Sequence, residues 1–408
     1  MMPSTPLGWM LLAAGWAVGL AWLWRAVTSI RGLSSMPNLL GMNGFGQGDG
    51  TRELPALSVV VPARNEEKAI EATLRSLLAI EGVALEIVAV DDRSTDRTGA
   101  IMDRIAEEAG SGLIATGQVL RVLHVELLPE GWLGKTHAMA MAARVTTCKW
   151  LLFTDGDVLF RKDSLARAIA FAEQDGADHL VLFPTMIIRS RGERMMMGFL
   201  QVFSVWTTRP WKVADAKARD FLGMGAFNMI RRSAYEAVGG FEHLRLEVLE
   251  DLRLGYEVKR RGFAQRVAFG PELLHIHWAE GVSGIMNNMT KNAFAIFRFR
   301  MLLLMAACGG MALICLMPFA GPLLCWWTGV GMVLASGVGI ASILALYGFY
   351  RRFTGTNMLY AFTFPIPACL LLYTVLRSMV LTLLRGGVMW RGTLYPLREL
   401  RKQCGPLW

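Results

Sequence analysis

The chain has 408 residues, 53% of them hydrophobic, with a formal net charge of +9. That apolar share is above what soluble domains carry and argues against an ordinary soluble protein. Nor does the positive charge mark a nucleic-acid partner, because no basic stripe interleaves with exposed aromatics. The basic residues instead flank the apolar segments (Arg25, Arg31, Arg298, Arg300, Arg351, Arg352, Arg385, Arg391, Arg398, Arg401 and Lys402), where anionic headgroups attract them.

Leu7 to Trp24 has no charged residue and is long enough to span a bilayer. Arg25 and Arg31 follow it, whereas a cleaved leader carries its charge ahead of the apolar core. An uncleaved anchor is expected over 1–27, and a Gly-, Ser- and Asn-rich linker over 28–54. The run Leu57-Ser58-Val59-Val60-Val61 predicts a buried strand ended by Pro62. Ala69 to Ile80 has helical spacing, with Leu74, Leu77 and Leu78 on one face. A second buried strand is expected over Leu85 to Val90, stopping at Asp91-Asp92, then a helix from Thr98 to Ala109. Val119 to Val125 predicts a third strand, His137 to Val145 a helix, and Trp150 to Phe153 the strand that leads into Asp155-Gly156-Asp157. Strands alternating with helices predict a parallel, right-handed α/β sheet.

Met195 to Trp211 is rich in methionine and aromatics, with Arg194 and Arg209 close by. A core helix and an amphipathic helix at a membrane surface both fit it. Leu249, Leu252 and Tyr256 predict an amphipathic helix opened by Glu250-Asp251. In the tail, Met301 to Tyr350 contains no charged residue, about twice the length that one span needs. Pro318, Gly321 and Pro322 divide it, and Phe353 to Leu376 is a further uncharged run. Two or three tail spans follow, three being favoured by length. The domain layout is then an α/β domain over 55–295, membrane or interfacial helices over 296–384 and a basic tail over 385–408. The positive-inside rule puts the central domain in the cytoplasm, at the inner membrane. With three tail spans the basic C-terminus would lie outside. With two, and Met301 to Met317 in the interface, it returns inside, but Arg351 and Arg352 then lie outside.

None of the six cysteines forms a CxxC pair, so they read as small buried hydrophobes, not as a zinc site or disulfide framework. The carboxylates carry more information. Asp155 and Asp157 leave a buried strand at its carboxyl end, where open α/β sheets bind ligands. Paired hard oxygens there suit Mg²⁺ or Mn²⁺ held against a substrate diphosphate. Asp91-Asp92-Arg93-Ser94-Thr95-Asp96 also ends a strand. Ser94 or Thr95 can cap the next helix, but capping does not account for two consecutive carboxylates, which can accept from a base N–H or ribose hydroxyls. Pro62-Ala63-Arg64-Asn65-Glu66-Glu67 follows the first strand and is either ordinary helix-start acidity or a loop facing the same crevice. Gly131-Trp132-Leu133-Gly134-Lys135-Thr136 lacks the full phosphate-loop spacing. Lys135 can still contact a diphosphate. Gly223-Met224-Gly225 permits close backbone approach or a simple turn. His275 and His277 alternate on one strand face and need not bind metal.

In this order, Val59-Val60-Val61-Pro62-Ala63-Arg64-Asn65-Glu66-Glu67, Val90-Asp91-Asp92-Arg93-Ser94-Thr95-Asp96, Phe153-Thr154-Asp155-Gly156-Asp157, Gly239-Gly240-Phe241 and Leu249-Glu250-Asp251 resemble the GT-A fold of family 2 glycosyltransferases, over about 57–292. Gly131-Trp132-Leu133-Gly134-Lys135-Thr136-His137-Ala138 and Trp390-Arg391-Gly392-Thr393-Leu394-Tyr395-Pro396 look most like the membrane-bound ceramide-glucosyltransferase-like and hopene-associated members. The resemblance implies that Pro62, Arg64, Glu66, Asp91 and Asp92, with Lys135 and Asp155, contact a nucleotide-sugar, expected to be a UDP-sugar. It implies that Asp155 and Asp157 hold the metal, and that Asp251, beside Glu250, is the catalytic base. Processive members carry a Gln-x-x-Arg-Trp motif that has no match here. The expected activity is inverting transfer of a sugar to the hydroxyl of a lipid-like acceptor at the cytoplasmic membrane face, with Lys135 or Arg298 assisting the leaving group. A processive polysaccharide synthase and a non-catalytic nucleotide-sugar-binding membrane protein are the alternatives.

Overall fold

A computed structural model describes residues 3, 5–41, 54–114, 116–390 and 392–403. Much of the expected linker, together with Arg391 and Cys404, lies outside the described residues. The chain divides into two compact units.

The first unit comprises Met36–Ile187, Pro210–His277 and Arg391–Trp408. Its strands are β1 (Leu57–Ala63), β2 (Leu85–Asp92), β3 (Val119–Val125), β4 (Trp150–Phe153), β5 (Val158–Phe160), β6 (His179–Phe183), β7 (Thr185–Met186), β8 (Asn228–Arg231), β9 (Gln265–Phe269) and β10 (Leu274–Ile276). Seven form one sheet in the order β3-β2-β1-β4-β8-β6-β9, and β5-β10-β7 form a small second one. All seven residues of β1 and all four of β4 are buried. Such unbroken apolar runs belong to strands covered on both faces. The sheet is mixed, which corrects the expectation of an all-parallel one. Strands β1 to β4 run parallel, but β8 is antiparallel to both β4 and β6. Strand β1 also continues through Pro62 to Ala63. It pairs with β4 only as far as Val60, so at Pro62 a single flank is paired and a residue without an N–H is tolerated.

The four helices expected in this unit start and stop within a few residues of their expected places, while others, among them Ser164–Gln174, were not expected. The four cover Ile70–Leu78, Thr98–Gly110, Gly134–Val145 and Glu250–Arg260. Neither Ser94 nor Thr95 caps the second. Asp96 does the local work there: its Oδ1 accepts from the Thr98 N–H at 2.9 Å and from the Thr98 hydroxyl at 2.6 Å.

The second unit comprises Met1–Ser35, Ile188–Arg209 and Trp278–Trp390. Among its described residues, four helices are long and apolar enough to cross a membrane: Pro6–Ser34, Met301–Thr328, Val330–Thr354 and Pro365–Leu384. Three of them lie in the tail. A 20-residue helix spans about 30 Å, the thickness of a hydrocarbon core. The first helix runs on to Ser34, past the expected boundary between anchor (1–27) and linker (28–54). In the tail, the helical path is interrupted at the expected place by a 3₁₀ turn over Gly321–Leu324. Gly15 and Gly19 are four residues apart and lie against the Val330–Thr354 helix: a β-carbon on Gly15 would meet Met332 Sδ at 2.5 Å, and one on Gly19 would meet the Ala335 carbonyl at 2.5 Å. Small residues at this spacing let two helix backbones approach where no hydrophobic effect drives them together. The Met195–Trp211 segment contributes the helix Arg191–Phe203 to this unit. Its Phe199 is fully buried and meets Phe364 edge-on at 4.8 Å.

Candidate active site at the carboxyl edge of the sheet

Two loops leave the carboxyl ends of β1 and β2 and are tied together. The Asn65 N–H donates to Ser94 Oγ (3.0 Å), and Asn65 Oδ1 accepts from the Thr95 N–H (2.8 Å). The Glu66 N–H donates to Thr98 Oγ1 (2.8 Å) and the Glu67 N–H to Asp96 Oδ2 (3.2 Å). Asn65 and Arg93 both hold left-handed backbone, with φ of 56° each, a conformation that asparagine accepts more readily than most residues. Much of the polarity of these two motifs therefore fixes loop shape. The two consecutive aspartates part company. Asp92 is fully buried, with its Oδ1 2.8 Å from Arg93 Nε. Asp91 keeps some exposed surface, accepts from the Ser94 N–H at 3.1 Å and lies 3.3 Å from His124 Nδ1. Pro62 is buried within β1, while Arg64 and Glu66 are half-buried in the loop after it.

After β4, the Thr154 N–H donates to the Val60 carbonyl (3.1 Å) and its hydroxyl to the Ala226 carbonyl (2.8 Å). This anchors the turn that carries Asp155 and Asp157. Lys135, in the first turn of the Gly134–Val145 helix, reaches into the same place. Its Nζ lies 2.7 Å from Asp155 Oδ1 and 2.7 Å from Glu250 Oε1. Burial by itself would depress the Lys135 pKa, but the carboxylates of Asp155, Glu250 and Asp251 outweigh it and hold the pKa above the ordinary lysine value. The ammonium is thus charged and committed to two carboxylates.

Glu250 and Asp251 open the helix Glu250–Arg260. Glu250 is buried, whereas Asp251 is half-buried, and its Oδ1 accepts from the Leu252 N–H at 2.7 Å. The loop Gly223-Met224-Gly225 packs directly on these groups. A β-carbon on Gly225 would sit 2.6 Å from Asp155 Oδ2 and 3.4 Å from Lys135 Nζ, and one on Gly223 would run into the Asp251 carbonyl. Close approach to the site itself, not a simple turn, is what these glycines permit. Lys135, Met139, Phe153, Thr154, Gly225, Asn228, Phe241, Glu250 and Asp251 line a small cavity of about 10 Å³.

Asp157 is pushed up to about 7, first by burial and then by the neighbouring carboxylates of Asp155 and Glu66. A carboxyl group so crowded by like charge is a hard-oxygen site short of cations. Among the described residues no three His, Cys, Asp or Glu side chains converge as a metal cage. Two carboxylates nevertheless fit Mg²⁺ or Mn²⁺, since such ions are commonly held by one or two carboxylates together with substrate phosphates. His275 is engaged elsewhere, with its Nε2 2.9 Å from Glu272 Oε2.

The sequence did not single out His179 or Gln265. Both are buried, and they form a directed chain behind Asp251. Gln265 Nε2 donates to His179 Nδ1 at 2.7 Å. The other ring nitrogen, Nε2, therefore carries the proton and donates to Asn228 Oδ1. Asn228 Nδ2 in turn donates to the Asp251 carbonyl at 3.3 Å. Burial pushes His179 down to about 4, so the ring is neutral at physiological pH. A lone polar residue at the start of an otherwise apolar strand is the available signal for His179; Gln265 shares its strand with Arg266 and carries no such signal.

The sheet order, with carboxylates at its carboxyl edge, is that of a mixed α/β fold of the GT-A type. Residues 58–239 match the family model described as glycosyl transferase family 2, so the chain carries a domain of that family. The chain is 26% identical over 209 residues to a 4,4'-diaponeurosporenoate glycosyltransferase of Staphylococcus haemolyticus (strain JCSC1435), covering 50% of this chain and 52% of that protein. It is 25% identical over 242 residues to the 4,4'-diaponeurosporenoate glycosyltransferase of Staphylococcus aureus (strain USA300), covering 58% of this chain and 60% of that protein. The match thus spans little more than half the length of these curated relatives. Among solved structures, the mannosyltransferase PcManGT from Pyrobaculum calidifontis, in complex with GDP-Man and Mn²⁺, aligns over 91% of this chain and 97% of its own with a TM-score of 0.50. At 19% identity that likeness is one of fold.

Proposed function

We propose that this protein is a membrane-embedded, inverting glycosyltransferase that moves a sugar from a nucleotide-sugar to a lipid-like acceptor. The carrying observation is the buried cluster in which Lys135 joins Asp155 to Glu250 with Asp251 alongside. It brings a donor-side carboxylate and a candidate base together at one sheet edge. The lipid-like acceptor is supported by the curated relatives, named for 4,4'-diaponeurosporenoate, and by the four apolar helices. A nucleotide-sugar donor and a divalent ion are supported by the GDP-Man and Mn²⁺ bound in PcManGT. Within the family, the Gly131–Ala138 motif favours the ceramide-glucosyltransferase-like and hopene-associated branch.

In this reading Asp91, Arg64, Glu66 and Pro62 border the nucleoside, and buried Asp92 holds the loop through Arg93. Asp155 and Asp157 would hold Mg²⁺ or Mn²⁺, which supplies charge neutralisation at the departing diphosphate. Asp251 takes the proton of the acceptor hydroxyl as its oxygen attacks the anomeric carbon. The bond from that carbon to the diphosphate oxygen breaks, and the diphosphate leaves with the electron pair. One displacement needs one base and no enzyme nucleophile. Glu250 acts through Lys135, keeping the ammonium against Asp155 and not transferring a proton itself. The catalytic unit faces the cytoplasm in this reading, as the charges after the first helix favour.

The test is transfer by the full chain, purified in lipid, from a panel of labelled nucleotide-sugars with Mn²⁺, Mg²⁺ or EDTA, using total membrane lipid as acceptor. Label in a metal-dependent, organic-extractable product supports the reading. Nucleotide binding with no transfer from any donor contradicts it.

A further inference from the structure

Within the helical unit, the helices Pro6–Ser34, Met301–Ala320, Val330–Thr354 and Pro365–Leu384 touch at points that give their relative depths. A β-carbon on Gly331 would meet Leu12 at 3.0 Å, and one on Gly19 would meet the Ala335 carbonyl at 2.5 Å. The Val330–Thr354 helix therefore runs in the same direction as Pro6–Ser34. The Met301–Ala320 helix runs the other way. A β-carbon on Gly339 would lie 3.2 Å from Pro318 and 3.8 Å from Gly19, whereas Trp22 Nε1, one turn on from Gly19, donates to the earlier Ile314 carbonyl at 2.7 Å. Ser34, Met301 and Thr354 thus mark one end of the bundle, and Pro6, Ala320 and Val330 the other.

The last helix does not fit this up-and-down pattern. At Gly355 the chain takes a left-handed cap with φ of 64°, the conformation in which helices commonly end. It then turns back as the 3₁₀ helix Met358–Thr363. Met358 Sδ lies 3.5 Å from the place of a β-carbon on Gly348, so this turn climbs alongside the helix it has just left. The climb stops at buried Phe364, whose ring lies 5.7 Å from that of Trp22 and 5.9 Å from that of Phe319. Pro6 is still about 24 Å further on, at the helical rise from Trp22. From Phe364 the Pro365–Leu384 helix heads back. Its Ser378 Oγ accepts from the Phe294 N–H at 3.0 Å, just ahead of the start of the helix at Met301. It has then gone from the level of Phe319 to that of Met301, returning to the end from which it came.

Charge points the same way. Arg377 is the one charged residue of Pro365–Leu384. In a crossing helix it would lie about 10 Å inside the hydrocarbon, at the helical rise from Leu384, where a guanidinium is costly. On the returning path Arg25, Arg31, Arg298, Arg300, Arg351, Arg352 and Arg385 all fall towards one end of the bundle, while Gly321 to Val330 at the other carries no charge. Neither two nor three simple tail spans meet the positive-inside rule so fully.

We infer that Pro365–Leu384 does not cross the bilayer. With the Met358–Thr363 turn it forms a hairpin that enters a single leaflet, the one on the arginine side, with Phe364 at its tip. Exposed Ile366, Tyr373, Val380 and Leu384 are the stripe it offers to the acyl chains of that leaflet. The segment after Arg385 then lies on the same side of the membrane as the segment after Ser34. None of this rests on glycosyl transfer.

Two measurements on the full chain test the inference. The first needs no substitution: an epitope is added after Trp408, and sealed vesicles are treated with trypsin. Wherever trypsin cuts the α/β unit, the epitope should be lost with it. A tagged fragment protected until detergent is added would overturn the inference. The second reads depth. With Cys148, Cys325, Cys369 and Cys404 changed to serine, a fluorophore is placed in turn on Ile366→Cys, Tyr373→Cys and Leu384→Cys, each required to melt as the parent does. Quenching by lipid with a nitroxide deep in its acyl chain should be strongest at Ile366 and fall through Tyr373 to Leu384. A maximum at Tyr373 with weak quenching at both ends is the signature of a crossing helix and would overturn the inference. Equal quenching at all three positions, the signature of a helix lying flat, would overturn it as well.

Discussion

Glu250 Oε1 lies 2.7 Å from Lys135 Nζ, inside a cluster that also holds Asp155 at 2.7 Å. One ammonium therefore neutralises a carboxylate from the β4 edge and another from the Glu250–Arg260 helix. Removing it leaves two carboxylates facing each other in a buried place. Breaking a buried ion pair from one side costs about 3–5 kcal/mol. Lys135→Met should therefore lower stability by about that amount in chemical denaturation, and Lys135→Met with Glu250→Gln should recover part of it.

The two glycines packed on the site should respond differently to a methyl group. At Gly225 the added carbon meets the end of the Asp155 side chain, and at Gly223 it meets backbone. Overpacking of this kind costs about 1–3 kcal/mol. Gly223→Ala should lose more stability than Gly225→Ala. Gly225→Ala should instead show its effect in transfer, with a loss of about tenfold or more, because it displaces Asp155. Paired melting curves and transfer rates separate the two.

His179 gives stability a pH dependence of known sign. In the folded chain the ring stays neutral down to about 4, whereas an unfolded histidine takes up its proton near the ordinary 6.5. Between those values the unfolded state binds more protons, so this group withdraws stability as the pH falls from 6.5 towards 4 and contributes no slope above 6.5. The slope is about 1.4 kcal/mol per pH unit. It should disappear in His179→Gln, as measured by denaturation midpoints across that range.

In the helical unit, Gly19→Leu should separate the Pro6–Ser34 and Val330–Thr354 helices, since a β-carbon there already meets the Ala335 carbonyl at 2.5 Å. Gly337→Ala is the control, because nothing lies within 4 Å of its added carbon. The first should lower the melting temperature in detergent, and the second should leave it unchanged or raise it, alanine being the better helix former.

Where a strand is buried on both faces, the sequence alone was enough. The Trp150–Phe153 strand, buried at all four residues, occupies its expected residues; the edge strand Val119–Val125 does so too, although only Val125 in it is buried. Asn228-Met229-Ile230-Arg231 was not legible as a strand, being four residues with polar ends, and it is the strand that turns the sheet from parallel to mixed. In the site, carboxylates at strand ends could be read from the alternation of strand and helix. Their partners could not. That Lys135 serves Asp155 and Glu250, or that Gln265, His179 and Asn228 line up behind Asp251, depends on segments between 20 and 115 positions apart meeting in space, the Lys135 to Glu250 contact being the longest. The Asp92 burial was hidden for the same reason, since it depends on Gly134 packing against its carboxylate.

The central claim is that Asp251 removes the acceptor proton. The most direct test is lipid glycosylation by Asp251→Asn in the full chain, with nucleotide-sugar binding measured on the same preparation. The amide cannot accept that proton, so transfer should fall at least about a hundredfold while donor binding and melting temperature stay close to those of the parent. Full transfer by Asp251→Asn, with the donor bound as before, would contradict the assignment.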